Sequence, residues 1–304
     1  TGQPKVDEKI LATVTDIPEA AMIANDLMLQ KRIAQVQSWL SFLDGDRVHG
    51  SVISNGTITG RMSHRDPNMA QITSLSSPSG KECRACWTVP RGYKLVGVDA
   101  SGLELRMLAH YLNDKEFIND ILNGDIHTAN QARAGLQSRS QAKTFIYAFL
   151  YGAGDAKIGQ VVGGNKAQGK RVKQSCLNNF PSLKSFRNRV KREADQRGYI
   201  KALDGRKVFI RSSHAALNSL LQSAGAIVMK RALVILNNKL LSSDIDAHVV
   251  ANVHDEWQIE TWENDVDKLG SMAVDSIVEA GVYYKLKCPM DAEYKIGDNW
   301  SDTH

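Results

Sequence analysis

The stretch Lys94-Leu-Val-Gly-Val-Asp99-Ala-Ser-Gly-Leu-Glu104-Leu-Arg106-Met-Leu-Ala-His-Tyr-Leu112 changes its hydrophobic period halfway along. Leu95, Val96 and Val98 form a short apolar run beside Gly92 and Gly97, which predicts a strand. Leu105, Leu108, Ala109 and Leu112 then repeat at helical spacing. Asp99 falls where the strand stops. A carboxylate there sits on the rim of a sheet, within reach of water and ligands. Ser101 and Glu104 have the spacing of a capping box, which gives Glu104 a purely local explanation. Asp99 has none, and is the first functional candidate.

A second anchor lies downstream. Ser138 and Gln141 again have capping-box spacing, and Arg139, Lys143, Tyr147 and Tyr151 follow at intervals of four. Each such step turns only about 40° past a full revolution, so the four share one helix face over roughly 18 Å. Ala142, Phe145, Ile146, Phe149 and Leu150 supply the opposite, core side. Two cations at the helix start, where the dipole is also positive, followed by two phenols, suit a triphosphate with a sugar and base further along. Gly152 and Gly154 end the helix.

The third anchor is residues 247–262. Val249, Val250 and Val253 form one strand, and Trp257, Ile259 and Thr261 alternate along another. His254-Asp255-Glu256 is left at the hairpin tip, where two acids and an imidazole call for a divalent cation. Thr59-Gly60-Arg61 through Gln71 is rich in hydrogen-bonding side chains and too polar for a core; Arg61, Asn68 and Gln71 suit phosphate oxygens or base edges. His127 lies just inside a helix that starts after Gly124, a good position for an anion. Asn218 and Gln222 are one turn apart on a long apolar helix over 213–241. They either bond each other or reach the minor-groove acceptors that every base pair offers.

Composition narrows the class without choosing a function. The 304 residues allow two domains or one large lobed one, and 42% apolar with 23% charged residues is ordinary for a soluble protein. The net charge of +5 is a weak push toward polyanions, with basic clusters at 166–173 and 184–197. No signal peptide is visible, and apolar runs fall short of a membrane span. Cys83 and Cys86 make one CxxC without a second pair, so the four cysteines read as reduced, buried thiols in a cytosolic protein. The chain opens at Thr1, and so reads as processed, truncated, or one piece of something longer.

The remaining stretches complete the outline. Residues 1–43 read as helical, with Lys31 and Arg32 on a basic face, and Val48–Ile53 as a short strand. Gly164-Asn-Lys-Ala-Gln-Gly169-Lys170 resembles a phosphate-binding loop, but Arg171 stands where a hydroxyl would hold magnesium, so it reads as a surface loop. A basic helical segment covers 171–200, and Tyr199–Arg211 a hairpin turning at Asp204-Gly205. A helix at about 264–281 and a strand near Asp291–Ile296 close the chain.

Together these anchors closely resemble the polymerase domain of family A DNA polymerases, and within it the replicative enzymes of short-tailed bacteriophages. Val98-Asp99-Ala-Ser-Gly-Leu-Glu104-Leu-Arg106 is similar to the family's motif A, Arg139 through Gly152 to motif B, and Val253-His254-Asp255-Glu256 to motif C. Thr59-Gly60-Arg61 and Asn218 through Gln222 match primer–template contacts, and His127 the phage branch's extra triphosphate contact. The resemblance runs in family order from about residue 30 to His304.

It implies an α+β right-hand architecture. The expected divisions are the trailing part of a thumb at 1–50, palm at 51–111 and 215–304, and helical fingers at 112–214, without the upstream exonuclease domain or most of the thumb. It further implies two Mg2+ ions held by Asp99, Asp255 and the Ala100 carbonyl, with Glu256 among the catalytic acids. Arg139, Lys143 and His127 would neutralise the dNTP triphosphate, Lys143 would protonate pyrophosphate, and Tyr147 and Tyr151 would complete the nucleotide site. Glu104 would fill the space of a ribose 2′-hydroxyl. Thr59, Arg61, Asn68, Gln71, Asn218, Gln222 and His254 would contact primer-template DNA. An N-terminal exonuclease or thumb fragment, or a processivity factor, would be a partner; a membrane would not. The expected location is the cytoplasm of an infected bacterial cell. Two rival readings are a single-subunit RNA polymerase, which Glu104 opposes, and a DNA-binding fragment inactive without the missing thumb.

Overall fold

The computed structural model describes residues 6–11 and 13–304. Among them, helices α1 (Glu8–Leu11) and α2 (Pro18–Leu40) come first, followed by the short strands β1 (Leu43–Asp44), β2 (Arg47–Val48), β3 (Ser51–Ile53) and β4 (Ser63–Arg65). Helix α3 (Gly80–Ala85) leads to strand β5 (Tyr93–Ala100). A helical run follows: α4 (Leu103–Leu112), α5 (Lys115–Leu122), α6 (Ile126–Ala134), α7 (Arg139–Leu150), α8 (Asp155–Val161), α9 (Lys166–Asn179) and α10 (Pro181–Arg197). The chain closes with β6 (Tyr199–Lys201), β7 (Lys207–Phe209), α11 (Ala216–Leu241), β8 (Ala247–Val253), β9 (Glu256–Trp262), α12 (Val266–Tyr283) and β10 (Ala292–Gly297).

The architecture is α+β. A four-stranded antiparallel sheet has the order β10-β5-β9-β8, so the strand carrying Asp99 lies between the last strand and the second arm of the 247–262 hairpin. The middle of β5 is buried on both faces, which is why its sequence is an apolar run without alternation. Helix α12 packs on β5 and on α11, and one core joins the sheet residues Val96, Val98, Trp257 and Ile259 to Leu221, Ala224 and Val228 of α11. By length and composition, residues 213–241 would pass for a membrane span; in the fold, 67% of that apolar window is buried as a core helix. A second, smaller cluster of Trp39, Ile72, Cys83, Leu95 and Trp300 fastens α2 and the C-terminal tail to the other side of the sheet.

Several expectations change in the fold. The helical reading of 1–43 breaks into two helices, because Pro18 sets a new start at the first turn of α2; its residues 1–5 and 12 lie outside the described residues. Lys31 is paired with Glu8. The Val48–Ile53 strand is two pieces, β2 and β3, with different partners. The phosphate-loop look-alike is mostly helix: Asn165 and Gln168 form a capping box, and α9 begins at Lys166. Cys83, Cys176 and Cys288 are buried and free, whereas Cys86 is exposed.

Gly97 marks a close approach in the middle of β5. A side-chain carbon there would run into the Thr303 carbonyl and the Gln258 amide. Gly97→Ala is expected to lower stability by about 1–3 kcal/mol. Urea unfolding reads this as a lower midpoint at unchanged slope.

Candidate active site

Asp99 reaches the rim because β5 ends one residue later. In the neighbouring strand Glu256 sits directly opposite Asp99, and the Ala100 amide donates to the Asp255 carbonyl at 3.0 Å. Val253 pairs with Glu256, so His254 and Asp255 are the two residues of a tight turn. His254 carries the positive φ, 60°, that such a turn demands of its first residue and that glycine would meet more cheaply. A histidine held in this conformation carries backbone strain at the tip. The ring Nδ1 of His254 is buried without a partner among the described residues.

The two acids are thus neighbours, and their electrostatics register it. Burial, then the Glu104 and Asp99 carboxylates, push Asp255 up to about 7. Burial, then Glu256, push Asp99 up to about 6, although its edge stays open to solvent. Among the described residues no cluster of three or more His, Cys, Asp or Glu side chains makes a ready metal cage.

Glu256, opposite Asp99, is bound differently. It is 6% exposed. Its Oε1 accepts from the Trp300 indole and from Gln258 Nε2, its Oε2 lies 2.9 Å from His304 Nδ1, and Arg84 Nη1 is 4.0 Å away. Burial alone would raise its pKa; His304, Trp300 and Gln258 outweigh that and hold it low. Its oxygens thus already hold the C-terminal tail against the sheet.

Glu104 also departs from its local reading. The first turn of α4 is preceded by Gly102 in the left-handed conformation, with no side-chain cap, so Ser101 and Glu104 form no capping box. Glu104 is buried, and its Oε1 accepts from Arg61 Nη2 at 2.8 Å and from the Tyr151 hydroxyl at 3.0 Å. This triad links the polar 59–71 stretch to the end of α7. Burial, then Glu104, Asp255 and Asp99, push the Tyr147 phenol up to about 12.

The rest of the α7 face follows its spacing. Tyr147 lies against Tyr151 and faces His127 across the α6–α7 gap, with ring centroids 6.5 and 6.2 Å apart. His127 is pushed down by burial and by Arg139 and Lys143. Asp125, which sequence reasoning passed over, caps α6 by accepting from the His127 amide and also binds Arg139. The Gly124-Asp125 pair ahead of the helix was the available signal.

The nucleic-acid candidates divide. Arg61 and His254 line a cavity of about 20 Å³ with Ala226 and Met229 of α11, one and two turns beyond Gln222. Asn218 and Gln222 are half-buried on that helix. Thr59 and His64 are buried, so the stretch expected to be too polar for a core is partly inside; Thr59 is satisfied by Thr57 at 3.0 Å. Asn68 spends its side-chain oxygen on the Ala70 amide as a turn cap, and the Gln71 side chain is exposed.

The family model for DNA polymerase family A matches residues 1–302. This chain belongs to DNA polymerase family A. Two relatives, the DNA-directed DNA polymerases of Enterobacteria phage T3 and Escherichia phage T7, are each 40% identical over 100% of this chain and 49% of their own length. The chain therefore spans about half the length of the curated relatives it matches. The polymerase domain of Pol1 from M. smegmatis, solved with DNA primer-template and dNTP, superposes with a TM-score of 0.87 at 22% identity, over 98% of this chain and 57% of that one. The family A polymerase-domain fold is thus present.

An acid whose pKa rises on folding stabilises the fold below its unfolded pKa, and that contribution is lost as pH climbs through the folded value. In chelator, stability is expected to fall between about pH 4 and pH 7, because the two acids ionise earlier in the unfolded chain than in the fold. Asp255→Asn should melt higher than wild type at pH 8 and close to it near pH 4. Thermal scans in EDTA check this; a variant that melts lower at both pH values contradicts it.

Proposed function

We propose that this chain carries template-directed DNA synthesis, joining dNMP to a primer 3′-hydroxyl. The observation that supports it most is the strand pairing that brings Asp99 beside Asp255, with Glu104 bound to Tyr151 at the end of the helix face that begins with Arg139 and Lys143. The primer-template and dNTP of the M. smegmatis neighbour and the polymerase names of the phage relatives support the same reading.

The donor set suits magnesium. Two like-charged carboxylates share a rim, both raised in pKa, and magnesium completes its shell with water and substrate phosphates. Asp99, Asp255 and the Ala100 carbonyl would hold two Mg2+ ions, which when bound would acidify the primer hydroxyl and offset charge on the triphosphate. Arg139, Lys143 and His127 bind the triphosphate, and Lys143, which has no ion pair among the described residues, gives its proton to the departing pyrophosphate. Glu104, fixed by Arg61 and Tyr151, fills the space a 2′-hydroxyl needs. Arg61, Asn218, Gln222 and His254 face the minor groove of the new pair, whose acceptors do not distinguish one correct pair from another.

In this reading residues 51–111 and 215–304 are palm, 112–214 fingers and 1–50 the end of a thumb, acting in the cytoplasm of a phage-infected cell. A second reading, a fragment that needs the rest of the enzyme, is favoured by α2, where Met22 is 72% and Leu40 66% exposed, apolar surface suited to further thumb or a processivity partner.

Primer extension tests both. The chain, alone or with the N-terminal half of a phage relative supplied separately, is expected to extend with dNTP and not NTP. Glu104→Ala should admit ribonucleotides, Tyr147→Phe should select against dideoxynucleotides, and Gln222→Ala should raise misinsertion. No extension in either arrangement would sink the reading.

A further inference from the structure

Asp125 does three things with one carboxylate. Its Oδ1 accepts from the His127 amide at 3.0 Å, capping α6. Its Oδ2 accepts from the Thr128 hydroxyl at 2.8 Å and from Arg139 Nε at 2.5 Å. Arg139 is the first residue of α7, so the contact spans two helix starts. Both partners are more than a third exposed, and such a pair adds little to stability. Its geometry is more telling than its energy. The guanidinium is gripped through Nε, which leaves both terminal nitrogens free to fork onto phosphate oxygens.

Resting on the polymerase reading above, we infer that Asp125 is a positioning residue for the triphosphate: it holds Arg139 in register with His127 before the phosphates arrive. A long exposed arginine loses much rotamer freedom on binding, and a carboxylate that has already restrained it removes part of that cost. The same oxygen pair sets where the His127 ring emerges from α6. The two phosphate ligands are therefore tied to one carboxylate, while Lys143 makes no ion pair among the described residues.

The cap and the clamp can be separated, because Asn caps a helix about as well as Asp but lacks the charge that fixes Arg139. Binding of dTTP and of inorganic tripolyphosphate with magnesium, followed by calorimetry on the full chain, provides the test. Asp125→Asn is expected to weaken both ligands by about two- to fivefold at unchanged melting temperature. In an Arg139→Ala background the same change should have no further effect. Equal or tighter binding by Asp125→Asn, or an undiminished effect without Arg139, overturns the inference while leaving the polymerase reading intact. No triphosphate binding by the wild-type chain, either alone or with the N-terminal half of a phage relative supplied, overturns both.

Discussion

One backbone hydrogen bond, from the Ala100 amide to the Asp255 carbonyl, governs the chemistry of this molecule. It brings together two acids separated by most of the chain, and water or a cation must then manage the repulsion. The sheet makes the arrangement durable: β5 is hydrogen-bonded on both sides, by β9 and β10, so Asp99 cannot retreat without breaking the core. The cost appears as raised pKa values on both acids and as a histidine held at positive φ beside them. Folding has placed unfavourable local electrostatics where, in the proposed reading, a divalent ion would offset them.

Around this pair, other carboxylates are kept from competing. Glu256 lies directly across from Asp99, but Trp300, Gln258 and His304 use its oxygens to moor the C-terminal tail. Glu104 is held by Arg61 and Tyr151, and so ties the 59–71 loop, the start of α4 and the end of α7 into one wall. Asp125 acts at the far end of α7. Three acids thus shape the site through hydrogen bonds, whereas two are left with oxygens to give.

Much of this was legible in residue spacing. The strand-to-helix change at Asp99 and Ser101, the interval of four from Arg139 to Tyr151, and the alternating hairpin around Asp255 all depend on local periodicity, which a chain carries wherever it folds. The pairings of Glu104 and Glu256 were not legible. Ser101 and Glu104 have capping-box spacing, but Gly102 takes the cap position, and Glu104 finds its partners 43 and 47 residues away. Glu256 looks like a third acid at a tip until strand pairing turns it toward Trp300, 44 residues away.

By itself, then, the amino-acid order determined which residue types occur, on which elements, and in the motif order of family A. Tertiary structure alone decided which carboxylates remain available. A carboxylate's role depends on the donors that reach its oxygens, and those donors arrive from segments distant in sequence. Periodicity places a side chain on a face; only packing says what that face meets.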